Sequence, residues 1–186
     1  MKRIINGYVC KTLHSSRKIK KMVRILAEKI ANDYRGKEFT LLIVANGAMD
    51  FGLDLSRALE KMDIKHSRET IIASRYNGDN NGGAEVNIIH KPNLKIAGRN
   101  IIVVEDLVDE GITLNQLSLY LENLKPASLN YAVLGTKHGH RFGGELKYKA
   151  FEKDFPDEWL LGYGMDWENE YRSLEEILYK TNVMAA

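Results

Sequence analysis

The sequence is poor in cysteine, in proline and in net charge, and each shortage excludes a class of protein. Its single cysteine, Cys10, excludes an internal disulfide. No apolar run approaches the ~20 residues of a membrane-spanning helix, and the chain begins without the long apolar segment of a secretory signal. Lysine and arginine number 27 against 25 aspartates and glutamates, and no basic stripe is interleaved with aromatic residues. We therefore expect a cytoplasmic protein with neither a membrane nor a nucleic acid as its main partner.

The composition is that of an ordinary globular protein. Hydrophobic residues make up 44% of the 186 residues and charged residues 28%, which allows a sizeable core without a metal or a disulfide. There is no internal repeat, and no Pro/Gly-rich linker or charge block divides the chain. We predict one domain over residues 1–186.

Hydrophobic periodicity predicts strands that alternate with helices. Apolar residues recur three and four positions apart in three segments, and short apolar runs of strand length separate them. The predicted helices span about 15–34, 51–62 and 113–124, and the predicted strands span about 39–45, 69–74, 84–90, 100–105 and 129–134. This alternation indicates an open α/β sheet, parallel at its centre, whose ligands bind beyond the carboxyl ends of the strands.

The segment IIVVEDLVDEGITL (101–114) is the most informative stretch, because apolar patterning alone does not explain it. After the strand, short residues lead into a helix, where backbone N–H groups converge and form a binding site for phosphate. Gly111 allows the backbone to approach a ligand closely, and Thr113 adds a hydroxyl donor. The segment therefore predicts a phosphate site.

Two adjacent acids, Glu105 and Asp106, stand at the end of that strand. They could accept hydrogen bonds from the vicinal hydroxyls of a sugar or help to hold a divalent cation. Acids at a strand end more often do no more than cap a helix. The attached phosphate-type turn favours the functional interpretation.

These residues carry a resemblance to a known family. Four apolar residues, two acids, two apolar residues and then Asp-Glu-Gly-Ile-Thr (109–113) resemble the ribose-5-phosphate signature of the type I phosphoribosyltransferases. The rest of the chain is similar to the hypoxanthine-guanine branch over about residues 38–180. Its further matching segments, in the same order, are Asn46-Gly47-Ala48, the loop 74–83, the segment 137–141, and 156–167 with Tyr171-Arg172 downstream.

The resemblance implies a fold and a reaction. The fold is a central parallel sheet flanked by helices, with a small hood and a flexible loop that closes over the site. Residues 1–37 would form an N-terminal helical and hood segment, 38–135 the core, and 136–186 the purine-binding hood and C-terminal segment. The reaction is the Mg²⁺-dependent transfer of phosphoribosyl from 5-phosphoribosyl-1-diphosphate (PRPP) to N9 of a 6-oxopurine. Hypoxanthine or guanine would give IMP or GMP and pyrophosphate.

The resemblance also assigns roles to individual residues. Asp109 would be the general acid/base near N7 of the purine. Lys137 would donate to the 6-oxo group, Trp159 would stack on the base, and the Leu160 backbone would meet its other edge. The remaining assignments are Glu105, Asp106, Asp109, Glu110, Gly111, Ile112 and Thr113 for the ribose and 5′-phosphate; Asn46, Gly47, Tyr76 and Arg172 for pyrophosphate; and Glu105, Asp106 and Asp166 for the metal.

The chain departs from the family pattern at three of these places. Asn46 stands where many members have lysine, Glu110 replaces the usual threonine, and Arg75 replaces a serine. Arg75 could restore the positive charge that Asn46 removes near pyrophosphate. The family often has a non-proline cis peptide in the first turn, here between Ala45 and Asn46, and the sequence alone does not decide whether this chain has it.

Alternative functions remain open at this point. One is an enzyme of the same fold that prefers xanthine. Another, from a different class, is a regulator that binds a nucleotide or PRPP without catalysis, since fold alone does not determine function. Members of the branch are usually homodimers or homotetramers, and we expect the same here.

Overall fold

The computed structural model of the chain describes residues 2–76, 85–90 and 95–184. It contains three helices, α1 (Ser16–Tyr34), α2 (Met49–Glu60) and α3 (Ile112–Asn123). Its strands are β1 (Lys2–Ile5), β2 (Tyr8–His14), β3 (Thr40–Ala45), β4 (Ser67–Tyr76), β5 (Glu85–His90), β6 (Asn100–Val108), β7 (Ser128–Thr136), β8 (Tyr148–Lys149), β9 (Leu160–Leu161) and β10 (Ile177–Met184). Among the described residues, no helix has both the length and the apolar character needed to cross a membrane.

The main sheet has six strands in the order β5-β4-β3-β6-β7-β8. Strands β4, β3, β6, β7 and β8 run parallel, and β5 pairs antiparallel with β4 at one edge. Every residue of β3 is buried, as expected for a parallel strand that is covered on both faces. The predicted open α/β sheet is confirmed.

Alternate side chains of β3 enter two different cores, because successive residues of a strand point to opposite faces. Leu41 and Ile43 pack with apolar residues of α1 and α2 on one face. Leu42 and Val44 pack with residues of α3 on the other face. The predicted helices therefore lie on the two sides of the sheet that the apolar run requires.

The helix predictions are confirmed, with shifts of a residue or two. Ser15 caps α1, and its side chain accepts a hydrogen bond from the backbone N–H of Lys18 at 3.4 Å. Strand β4 is longer than predicted at both ends. Strand β6 extends to Val108, so the acids Glu105 and Asp106 lie within the strand and not after it.

A second sheet of four strands, in the order β1-β2-β10-β9, was not predicted. Asn6 and Gly7 both have positive φ in the two-residue turn between β1 and β2, the arrangement that an Asn-Gly hairpin adopts. The Asn-Gly dipeptide was the sequence signal from which this hairpin could have been predicted. Cys10 is buried on this sheet with Trp167 and neighbouring apolar side chains.

The surroundings of His14, at the end of β2, favour its neutral form. Its ring stacks on Phe151 at a centroid distance of 3.9 Å, and its buried Nδ1 has no hydrogen-bond partner among the described residues. Burial, assisted by the charge of Lys18, lowers the pKa of His14 to about 4.

We expect this histidine to make the fold sensitive to mild acid. Between pH 7 and pH 4 the unfolded chain protonates His14 near its ordinary pKa of about 6.5 while the folded chain does not, so the unfolding free energy falls by roughly 2 kcal/mol as the pH decreases. Urea unfolding across this range measures the slope.

His14→Phe, which keeps the stack on Phe151, should flatten that slope. His138→Gln serves as the control, because the His138 side chain is 97% exposed. Equal slopes in the wild type and His14→Phe would show that His14 is not the group responsible.

Candidate active site

A cavity of ≈ 350 Å³ opens at the carboxyl ends of β3, β6 and β7, the edge that the sequence predicts for ligand binding. The C-terminal segment 159–172 covers one side of it. Of the residues with predicted roles, those that line the cavity are Asn46, Gly47, Glu105, Asp106, Asp109, Gly111, Thr113, Lys137, Trp159, Leu160, Asp166 and Arg172.

The turn after β3 forms one wall. The peptide bond between Ala45 and Asn46 is cis, and Asn46 is exposed. A β-carbon on Gly47 would collide with the carboxylate of Asp106, so a side chain at this position would displace that carboxylate.

The acids of β6 lie directly beneath that turn. The Asp106 carboxylate accepts a hydrogen bond from the Leu107 amide at 2.8 Å, and the Glu105 carboxylate accepts one from the Asp106 amide at 3.2 Å. Burial, together with the negative charge of Asp106, raises the pKa of Glu105 well above its ordinary value. Such a pair favours the approach of a cation or of hydroxyl donors.

The turn that leads into α3 has the form predicted for a phosphate site. Gly111 has a φ of +82° and immediately precedes the first helical residue. Its absent side chain leaves room for the backbone of Phe142, whose nitrogen would lie 2.6 Å from a β-carbon. The first backbone amides of α3 point out of the helix, because they have no acceptor within it.

The segment 141–143, which the sequence analysis did not single out as a support, braces this turn. The Arg141 amide donates to the Glu110 carbonyl at 2.9 Å. The Asn115 side chain on α3 donates to the Arg141 carbonyl and accepts from the Gly143 amide. The only sequence signal for these hydrogen bonds was Asn115, a polar residue in the first turn of a helix.

Asp109 and Lys137 are brought together across the cavity, although they are 28 residues apart in sequence. The Lys137 Nζ atom lies 3.2 Å from Asp109 Oδ2 and 3.9 Å from Asp157 Oδ1. The lysine side chain is 12% exposed and that of Asp109 is 51% exposed. The cation is therefore enclosed, whereas the carboxylate faces the opening.

The C-terminal segment supplies the other wall. The Trp159 ring is 56% exposed, and its Nε1–H donates to the Asp166 carbonyl at 2.8 Å. The Arg172 guanidinium lies 2.6 Å from Asp166 Oδ1 and donates to the Gly164 carbonyl at 2.7 Å. Leu160 is buried below this wall.

The two walls touch at Gly164. A β-carbon there would overlap the Gly47 carbonyl oxygen, and Gly164 has a φ of +97°. No sequence pattern used above predicts this contact. The signal was the Gly-Tyr-Gly triplet at 162–164, in which all three residues have positive φ.

The predicted closing loop falls largely outside the described residues. Tyr76 is the last residue of β4 and Arg75 precedes it. For both residues the backbone alone is described. The interpretation of residues 76–83 as a flap stays a prediction.

The carboxylates predicted to hold a metal lie on two walls of the cavity. Nowhere in the described part of the chain do three or more His, Cys, Asp or Glu side chains gather as a metal-binding group. Glu105 and Asp106 stand on one wall and Asp166 on the other. Carboxylates suit Mg²⁺, which commonly takes one or two of them together with phosphate oxygens of a substrate, so the donor set fits a metal that binds with its ligand.

Comparisons with known proteins agree with this geometry. The family model described as a phosphoribosyl transferase domain matches residues 10–159. The hypoxanthine-guanine phosphoribosyltransferase of Mycobacterium bovis is 32% identical in an alignment over 178 residues that covers 92% of this chain and 86% of the relative. The hypoxanthine-guanine-xanthine phosphoribosyltransferase of Tritrichomonas foetus is 33% identical in an alignment over 171 residues that covers 90% of this chain and 89% of the relative.

A solved structure of the Trypanosoma cruzi hypoxanthine phosphoribosyl transferase superimposes with a TM-score of 0.86. It is 29% identical and covers 96% of this chain and 94% of its own. The central parallel sheet flanked by helices that the resemblance implied is confirmed.

We expect Gly164→Ala to lower the free energy of unfolding by more than the backbone strain of an alanine at positive φ explains. Gly98→Ala is the matched control, because Gly98 also has positive φ (+74°) but has no atom within 4 Å of a β-carbon. Backbone strain alone costs about 1–2 kcal/mol in each variant, and only Gly164→Ala also drives the two walls apart. Equal losses in chemical unfolding would contradict the contact between Gly164 and Gly47.

Proposed function

The chain belongs to the phosphoribosyl transferase family, and on that premise we propose that it salvages purines by transferring phosphoribosyl from PRPP to N9 of hypoxanthine or guanine, or of both. The observation that carries the choice of a 6-oxopurine is the ammonium of Lys137, enclosed 3.2 Å from Asp109 in the cavity. An ammonium is only a donor, and so it selects an oxo group over an amino group.

We place PRPP along the carboxyl edge of the sheet. The amides of residues 109–113 would bind its 5′-phosphate at the start of α3, and Glu105 and Asp106 would accept the ribose hydroxyls. The pyrophosphate would lie between the Asn46-Gly47 turn and Arg172. Glu110 is exposed, which lets its carboxylate point away from the phosphate.

The purine would lie between Lys137 and Trp159. The exposed indole offers a face for stacking, worth about 1–3 kcal/mol per base, and its bond to the Asp166 carbonyl fixes the ring. The Leu160 backbone would meet the far edge of the base.

In the transfer, the bond between C1 of the ribose and the pyrophosphate oxygen breaks while N9 forms a bond to C1. The sugar becomes positively charged in the transition state, and the carboxylates of β6 stabilise that charge. Asp109 takes the proton that the base loses at N7, and Lys137 orients its carboxylate. Tyr76 would close over the site and exclude water.

Glu105, Asp106 and Asp166 are the residues that we propose hold Mg²⁺. A bound Mg²⁺ would neutralise charge on the pyrophosphate as it leaves. Chelation by EDTA should abolish turnover, and added Mg²⁺ should restore it.

Xanthine is the second candidate base, because the 33% identical relative from Tritrichomonas foetus is named for it as well. We further propose that the hood draws on the segments 1–37 and 136–186 and that the protein acts in the cytoplasm as a homodimer or homotetramer. Exposed apolar side chains on the smaller sheet, Ile4, Val183 and Met184, support association, which light scattering on the purified protein measures.

We expect the wild type to convert at least one 6-oxopurine with PRPP and Mg²⁺, and Asp109→Asn to lower kcat by a factor of about 10²–10⁴. The amide keeps the shape of Asp109 but does not accept the proton. A spectrophotometric assay with hypoxanthine, guanine, xanthine and adenine measures both the turnover and the choice of base.

Glu122→Gln, a neutralised and exposed acid on α3, should retain full activity and is the control. Tight PRPP binding by the wild type without turnover of any base would contradict the proposal and favour a regulator that binds nucleotide or PRPP.

We expect Lys137→Gln to weaken discrimination between hypoxanthine and adenine by about 10–100-fold, because an amide both donates and accepts. The ratio of kcat/KM for the two bases measures the change. A ratio equal to that of the wild type would remove Lys137 from base recognition.

A further inference from the structure

Tyr163 joins the two walls of the site from below. Its side chain is 5% exposed, and its hydroxyl donates to Asp54 Oδ2 on α2 at 3.0 Å. Helix α2 follows directly after the Asn46-Gly47 turn, whereas Tyr163 stands three residues before Asp166. One hydrogen bond thus connects an element behind the first wall to the segment that forms the second.

The backbone around Tyr163 is unusual for a residue with a side chain. Tyr163 has a φ of +51°, between two glycines that also have positive φ. Its amide donates to the Leu174 carbonyl at 2.7 Å, and the next amide, that of Gly164, donates to the Arg172 carbonyl at 2.9 Å. Holding a tyrosine in the left-handed region costs free energy, so surrounding contacts must fix it there.

The segment that contains Tyr163 contacts Arg172 at two places. The Gly164 carbonyl, one residue after Tyr163, accepts a hydrogen bond from Arg172 at 2.7 Å. The same guanidinium pairs with Asp166. Any rotation of the 162–164 backbone would therefore move the Arg172 cation, which lines the same cavity as the Asn46-Gly47 turn.

The Tyr163 hydroxyl stays a donor throughout the working pH range. Burial, together with the negative charges of Asp54 and Asp50, raises its pKa far above the ordinary value. The acceptor is anchored as well, because Asp54 Oδ1 pairs with Arg57 at 3.2 Å. A hydrogen bond from a buried donor to a charged acceptor is among the stronger kinds.

We propose that Tyr163 is a positioning residue for PRPP, which acts through Asp54 to hold Gly164, Asp166 and Arg172 against the Asn46-Gly47 turn. This inference rests on the proposed function. It assigns the hydrogen bond to the pyrophosphate side of the site. On the purine side Lys137 and Asp109 lie on other elements, whereas Trp159 contacts this segment through the Asp166 carbonyl.

A second tyrosine provides the matched control. Tyr148 is 2% exposed, its hydroxyl donates to Asp33 at 2.8 Å, and burial raises its pKa as it does for Tyr163. This bond ties β8 to the end of α1, and neither residue lines the cavity. The two Tyr→Phe variants thus remove similar bonds at two places.

We expect Tyr163→Phe to raise KM for PRPP about tenfold, which corresponds to about 1.4 kcal/mol, with kcat and KM for the base changed less than about twofold. Asp54→Ala should do the same, and the double variant should add little, because both remove one bond. Asp54→Asn, which still offers an acceptor, should recover part of the affinity.

Tyr148→Phe should lower Tm by a few degrees, as Tyr163→Phe does, but leave KM for PRPP unchanged. An equal KM for PRPP in both tyrosine variants would overturn the inference, because Tyr163 would then serve stability alone. Additive losses in the double variant would also overturn it.

Amide hydrogen exchange tests the positioning role of Tyr163 independently of the proposed function, because it needs no turnover. Tyr163→Phe, but not Tyr148→Phe, should speed exchange at the amides of Gly164 and Met165 and in the first turn of α2, whether or not any purine is converted. Failure of the wild type to convert a purine would count against the proposed function alone. Unchanged exchange in Tyr163→Phe would overturn the positioning role.

Discussion

Burial of β3 and β6 on both faces is the constraint on which the site depends. Side chains within the buried part of these parallel strands must be apolar or hydrogen-bonded, as Thr40 is to Ser67, so charged groups first become tolerable where the strands leave the covering helices. The Asn46-Gly47 turn and the acids Glu105 and Asp106 stand at that point. Because parallel strands end at the same edge, residues far apart in sequence meet there without any local signal for the meeting.

The smaller sheet turns this open edge into an enclosed site. It carries the segment 159–172, whose backbone at Gly164 lies so close to the Gly47 carbonyl that a β-carbon would overlap it. A side chain at Gly164 would separate the walls, and one at Gly47 would displace the Asp106 carboxylate. The enclosure thus depends on two missing side chains as much as on the contacts of Tyr163 with Asp54 and of Trp159 with Asp166.

The sequence predicts the parts of this arrangement that depend on local pattern. Strand β3, the three helices and the phosphate-type turn follow from periodicity and from glycine placement. The hairpin at Asn6-Gly7 carried a clear turn signal, but its partner β10 lies about 170 residues away, and pairing at such separation has no local signature. The pairing of Asp109 with Lys137 and the contact of Gly164 with Gly47 are likewise products of topology. The family resemblance identifies the candidate site residues, whereas the distances between them follow only from the fold.

Charge balance explains how the cavity tolerates two cations. Lys137 is paired with Asp109, and Arg172 with Asp166, so neither cation lacks a counter-charge, which would be costly. Lys137 is enclosed and its partner Asp109 is half exposed, whereas Arg172 and Asp166 are both partly exposed. A substrate oxygen can therefore share the cation while the chain's own carboxylate still orients it. This arrangement favours neutral oxo groups at Lys137, because a second full negative charge would meet Asp109 and Asp157 beside it.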